Sequence, residues 1–112
     1  MKIYHNPRCS KSREALQLLR ESEITPEIVH YLDQPPTFEE LKSIIASLGI
    51  SPFQLLRQGE TIYKEKFAGQ SHSDDEWIKI MVENPSLIER PIVVAGKRAV
   101  IGRPPALVKT LL

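Results

Sequence analysis

The spacing of apolar residues changes from one segment of the chain to the next. Lys2 to His5 is a short apolar run that reads as a strand, and Asn6-Pro7 breaks it. From Ser10 to about Glu21, Ala15, Leu16 and Leu19 share one face at helical spacing and predict a helix. Glu27 to Tyr31, with Ile28, Val29 and Tyr31, predicts a second strand. Strand, helix and strand in that order predict a parallel βαβ unit.

Pro35-Pro36-Thr37 is the next break. Thr37 and Glu40 make a capping-box pattern ahead of Leu41, Ile44, Ile45 and Leu48, and Gly49 ends the predicted helix. Ser51-Pro52 starts a short helix through Leu55-Leu56. Some helix is predicted around Tyr63 to Phe67. Ser73 and Glu76 make a second capping box before a stripe of Trp77, Ile80 and Met81, and Asn84-Pro85 stops that helix. Pro91 to Val94 reads as a buried strand, Ala95-Gly96-Lys97 as a turn and Arg98 to Ile101 as its hairpin partner. Gly102-Arg103-Pro104-Pro105 leads into a closing helix carrying Leu107, Leu111 and Leu112. The predicted fold class is α/β: βαβ, a helical insertion, then ββα.

Composition narrows the function classes. At 112 residues the chain is predicted to fold as one domain, 1–112. A net charge of +1 gives no electrostatic case for nucleic acid or an anionic membrane surface. The longest apolar runs, such as Ile92-Val93-Val94-Ala95, fall far short of the ~20 residues a bilayer requires. The N-terminal segment lacks the apolar core of a signal peptide, so a cytoplasmic location is expected. One cysteine among 112 residues permits no intramolecular disulfide, so any redox cycle through it needs an outside thiol.

That cysteine, Cys9, sits in the loop His5-Asn6-Pro7-Arg8-Cys9-Ser10-Lys11-Ser12-Arg13, between the first strand and the first helix. A helix N-terminus offers unpaired N–H groups and the positive end of a dipole. Both favour a thiolate and both cradle an oxyanion. With Arg8, Lys11 and Arg13 nearby, the expected direction is a lowered Cys9 pKa. A structural cysteine packed as a small hydrophobe would more naturally have apolar neighbours. Ser12 stands where a Cys-x-x-Cys motif needs its second thiol, and Ala15 where a Cys-x5-Arg phosphatase loop needs its arginine. His5, His30, His72 and Cys9 lack metal-ligand spacing, so no metal site is expected. His30 and His72 read as ordinary loop or strand residues, and Trp77 and Met81 as core.

The pattern His5-Asn6-Pro7-x-Cys9 followed by Ser12-Arg13 resembles the active-site loop of the glutaredoxin-coupled arsenate reductase (ArsC) family. Further matching landmarks are Tyr31-Leu32 before Pro35-Pro36, Gly49-Ile50-Ser51, Leu55-Leu56-Arg57, Glu89-Arg90-Pro91-Ile92-Val93-Val94 and Arg103-Pro104. The resemblance spans nearly the whole chain. It implies a thioredoxin-like fold in which Cys9 is the nucleophile and His5 lies near the thiol and influences its ionisation. Arg57, Arg90 and Arg103 would surround a bound oxyanion, and Pro91 would be a cis-proline beside the cysteine. Ser12 and Arg13 are supporting members of the motif. The implied reaction reduces arsenate with glutathione as co-substrate and glutaredoxin as partner, and with no bound cofactor. Guanidinium groups suit this task, because they stay charged and bind oxyanions through forked hydrogen bonds.

Ser10-Lys11 departs from the Gly-Thr that often follows the cysteine in well-known members. Those members also tend to carry a longer C-terminal extension. Two other readings share the motif: a monothiol glutaredoxin-like reductase of mixed disulfides, and a redox-sensing regulator that binds a protein partner.

Overall fold

A computed structural model describes residues 1–112. The chain forms two compact units, one from residues 1–34 and 90–112, the other from 35–89.

The first unit is built on a four-stranded sheet. Its strands are β1 (Lys2–Tyr4), β2 (Glu27–Val29), β3 (Ile92–Ala95) and β4 (Arg98–Ile101), in the order β2-β1-β3-β4. β1 and β2 pair in parallel across helix α1 (Ser10–Glu21), giving the predicted βαβ unit. β1–β3 and β3–β4 are antiparallel. Ile3 lies opposite Val93 on the two central strands, and both are fully buried. They share a core with Ala15, Leu16 and Leu19 of α1 and with Val108 and Leu111 of the closing segment. The buried face of α1 begins one turn earlier than its apolar stripe, at Ser12, so positions 12, 15, 16 and 19 form one helical stripe with a polar first member.

Several predicted boundaries move: β1 stops at Tyr4 rather than His5, β3 runs over Ile92–Ala95 rather than Pro91 to Val94 and so takes Ala95 from the turn, and the helix expected around Tyr63 to Phe67 is Thr61–Lys66. β2 stops at Val29, because the His30 carbonyl accepts hydrogen bonds from the N–H groups of Asp33 (3.0 Å) and Gln34 (2.9 Å) and turns the chain. The closing helix is a 3-10 segment, Pro105–Leu111, which buries Pro105, Val108 and Leu111 while Leu107 and Leu112 stay exposed. With three residues per turn, positions 105, 108 and 111 align, which an α-helical reading of Leu107, Leu111 and Leu112 misses.

The second unit is helical. It contains α2 (Phe38–Leu48), a 3-10 turn at Pro52–Leu55, α3 (Thr61–Lys66), α4 (Asp74–Glu83) and a 3-10 turn at Pro85–Leu87. α2 packs on α4, burying Leu41, Ile44 and Ile45 on one helix and Trp77, Ile78 and Met81 on the other. Ile78 replaces the expected Ile80 in that stripe. Both predicted capping boxes close: Thr37 and Ser73 accept from the N–H groups of Glu40 and Glu76, whose carboxylates accept from the cap N–H groups. Gly49 ends α2 in the left-handed conformation (φ 70°) that a glycine tolerates without cost.

Candidate active site

The β1–α1 loop places Cys9 at the N-cap of α1, with extended backbone (φ −94°, ψ 122°) and no side-chain capping hydrogen bond. Its own N–H donates to the Asn6 carbonyl and its carbonyl accepts from Arg13 N–H, both at 3.0 Å, so the backbone at the cysteine is fixed from both sides. At this position a Ser or Asp side chain would accept from the second and third N–H groups of the helix. Here those groups belong to Lys11 and Ser12, and the sulfur lies over them.

The Cys9 thiol is pushed in two directions. Partial burial raises its pKa. Against that act the backbone N–H of Ser12, the charge of the Arg90 guanidinium, the backbone N–H of Lys11 and a hydrogen bond from Arg90. The net direction is down, towards thiolate. The two N–H groups act on the sulfur as dipoles rather than as formed caps, since no capping bond of normal geometry is present.

Arg90 and Arg103 reach this sulfur because of the hairpin register. Ile92 pairs with Ile101, and Gly102 N–H donates to the Pro91 carbonyl at 2.9 Å, so the residues flanking the two strands face each other. Arg103 Nη1 approaches Cys9 Sγ at 3.9 Å and donates to the Arg90 carbonyl at 3.3 Å. Pro91 is buried behind a cis peptide bond, as the resemblance implies. The Arg103–Pro104 bond is also cis, which nothing in the sequence reading flagged. The close approach at this corner demands a glycine: a Cβ on Gly102 would lie 2.9 Å from Pro91 Cγ and 3.2 Å from a Val108 methyl.

Behind the loop lies a buried polar cluster. His5 Nδ1 is 2.6 Å from Ser12 Oγ, and the Asn6 N–H donates to the same oxygen at 3.0 Å. Both His5 and Ser12 are buried. Burial, and then the charges of His30, Arg20 and Arg13, lower the His5 pKa, so the ring is held neutral. A neutral His5 with Nδ1 unprotonated lets the Ser12 hydroxyl donate to it while accepting from Asn6. His5 is therefore linked to the thiol through Ser12, whose own N–H favours the thiolate. Arg13 braces the loop from α1, donating to the Pro7 carbonyl at 2.9 Å.

The remaining predicted residue, Arg57, belongs to the second unit. Its guanidinium donates to Glu60 Oε1 and to the Ser86 carbonyl, each at 3.2 Å. Asn6, expected only as a strand break and a motif position, has a further part: its Oδ1 accepts from Arg8 N–H (3.0 Å) and shapes the turn into Cys9. The signal was available, since an Asn in a Pro-containing turn bonds its own backbone two residues on. The requirement for a glycine at 102 becomes visible only with Pro91 and Val108 in place.

A four-stranded sheet in this order, with a single cysteine at the N-cap position of the first helix and a cis-proline before the third strand, defines a thioredoxin-like fold carrying a one-cysteine site. A model of the ArsC family matches residues 4–111, and the chain belongs to that family. The Escherichia coli K12 protein named uncharacterized protein YfgD is 52% identical over 107 residues, covering 94% of this chain and 90% of that one. Arsenate reductase of the same organism is 43% identical over 111 residues, covering 98% of this chain and 79% of that protein. The solved structure of an arsenate reductase from Vibrio cholerae superposes with a TM-score of 0.95 at 46% identity, covering 100% of this chain and 98% of the other.

Proposed function

We propose that this protein reduces arsenate to arsenite through the Cys9 thiolate, in the cytoplasm, with electrons from glutathione and glutaredoxin and without a bound cofactor. The observation that carries this reading is the environment of Cys9. A thiol biased towards its charged form lies beside Arg90 and within 3.9 Å of Arg103. A thiolate approaching arsenate is an anion meeting an anion, and two guanidinium groups offset the repulsion. The names of the arsenate reductases to which the chain is similar support the same substrate.

In this reading arsenate lodges against Arg90 and Arg103, and the helix N–H groups of Lys11 and Ser12 stabilise the attacking sulfur. Cys9 displaces one arsenate oxygen, which leaves as water after taking up protons. Glutathione displaces a second oxygen in the same way, so arsenic is still As(V) and carries two sulfurs. A glutaredoxin thiolate then attacks the glutathione sulfur. The resulting mixed disulfide has lost two electrons, which arsenic gains as As(III). Hydrolysis of the remaining Cys9–arsenic bond releases arsenite and restores the thiol. The single cysteine demands outside thiols for this electron pair.

The resemblance also assigns Arg57 to the oxyanion. An Arg57→Ala variant with a raised KM for arsenate would establish that role, and an unchanged KM would remove it.

The test is NADPH oxidation coupled through glutathione reductase, with arsenate, glutathione and glutaredoxin present. Arsenate-dependent turnover that vanishes in Cys9→Ser is the expected result. Turnover of a glutathione mixed disulfide but not of arsenate would replace this reading with a monothiol reductase.

A further inference from the structure

The residues leading into Cys9 also wall a cavity of about 390 Å³, within the range of small-ligand sites. Its lining includes His5 and Arg8 from the β1–α1 loop, and His30, Leu32 and Asp33 from the turn after β2. All belong to the first unit.

The chemistry of this lining is unusual. The Arg8 guanidinium forms no ion pair or hydrogen bond with the protein, and its residue is held only through its backbone N–H on Asn6 Oδ1. The Asp33 carboxylate is likewise without a protein partner, its backbone N–H alone being engaged, by His30. A cation and an anion thus line one cavity without pairing with each other. Leu32, 41% exposed, adds an apolar surface. His5 is only 6% exposed yet lines the cavity, and its ring lies 6.0 Å from that of His30. With Nδ1 taken by Ser12, Nε2 is the His5 atom left for a ligand.

From this lining we infer that the cavity binds the reductant, a small zwitterionic peptide thiol of the glutathione type, with Arg8 on a ligand carboxylate and Asp33 on its ammonium group. The inference rests on the reading of Cys9 as the nucleophile of a thiol-coupled reduction. An inorganic oxyanion fits poorly, because Asp33 repels it. A ligand carrying both charges meets both side chains, and the two imidazoles offer hydrogen bonds to its amide groups. Reach is adequate: Arg8 is bonded directly to Cys9, and an extended tripeptide spans about 10 Å.

The test is an NMR titration of the full chain with S-methylglutathione, which keeps the charges of glutathione and lacks its thiol. Backbone amide shifts are expected to concentrate at His5, Arg8, His30 and Asp33. Arg8→Ala and Asp33→Ala should each weaken binding about tenfold, the scale of one charge-assisted hydrogen bond. In the coupled assay both should raise the KM for glutathione by a similar factor while leaving the KM for arsenate unchanged. Shifts elsewhere, no shifts, or equal shifts at these residues with inorganic phosphate would each overturn the inference. The two readings fail separately. If the wild type does not turn over arsenate but still binds S-methylglutathione through Arg8 and Asp33, the arsenate reading falls and the cavity assignment stands. If arsenate is reduced and neither variant changes the KM for glutathione, the cavity assignment falls alone.

Discussion

The N-terminus of α1 and those of α2 and α4 solve the same problem in opposite ways. Every α-helix begins with N–H groups that have no partner within the helix. At α2 and α4, Thr37 with Glu40 and Ser73 with Glu76 close reciprocal boxes, each satisfying the N–H of the cap and that of the third helical residue. At α1 the cap residue is Cys9, whose sulfur forms no capping hydrogen bond, and the first turn carries no acidic residue. The first turns of α2 and α4 hold Glu39 and Glu40, and Asp74, Asp75 and Glu76. The dipole that acidic side chains complement at α2 and α4 meets no acidic side chain at α1, where the N–H groups of Ser12 and Lys11 act on the Cys9 sulfur instead.

Substitutions at the two kinds of helix end put this contrast to the test. The largest effect is expected from Cys9→Ser: turnover should fall by about a thousandfold or more. Serine is a preferred N-cap, so the same variant should unfold at no lower denaturant concentration than the wild type. Next is Arg103→Ala, which removes a cation from beside the sulfur. It should lower kcat/KM for arsenate about a hundredfold, the scale of losing one donor to developing negative charge. Gly102→Ala forces a methyl group against Pro91 and Val108 and should cost roughly 1–3 kcal/mol in urea unfolding. The smallest effect belongs to the comparison helix. Thr37→Ala should cost about 1 kcal/mol of stability and leave the alkylation rate of Cys9 unchanged. A change in Cys9 reactivity there would end the claim that the two kinds of helix end are used for separate purposes.

Much of this was legible in the sequence. The capping boxes, the Gly49 stop and the Asn6-Pro7 break carry their own local chemistry, so α1, α2 and α4 fall where the pattern puts them. The Cys9 loop was legible for the same reason, as polar and cationic residues crowd a position where a buried cysteine would have apolar ones. What was not legible depends on partners distant in the chain. Ser12 occupies the first place of α1's buried stripe, but only His5 and Asn6 in position explain why a hydroxyl is tolerated there. Val108 was passed over because a run of Leu residues suggested an α-helical period, whereas the segment winds with three residues per turn. Arg90 and Arg103 are named by the resemblance alone. Their convergence depends on the pairing of Ile92 with Ile101, a register that turn chemistry and side-chain packing fix together.

The central claim is that the open end of α1 holds a thiolate and accepts an oxyanion, and the pH dependence of Cys9 alkylation tests it directly. Because the folded pKa is lowered, the native state binds fewer protons than the unfolded chain between the folded and unfolded values. Stability from this group is therefore present above the unfolded pKa and is lost as pH falls through the folded one. Alkylation should accordingly half-saturate below the ordinary thiol range, and Arg90→Gln should move that midpoint upward. Arsenate, added to the wild type, should slow the reaction competitively. A midpoint at the ordinary thiol value, with no protection by arsenate, would contradict the account.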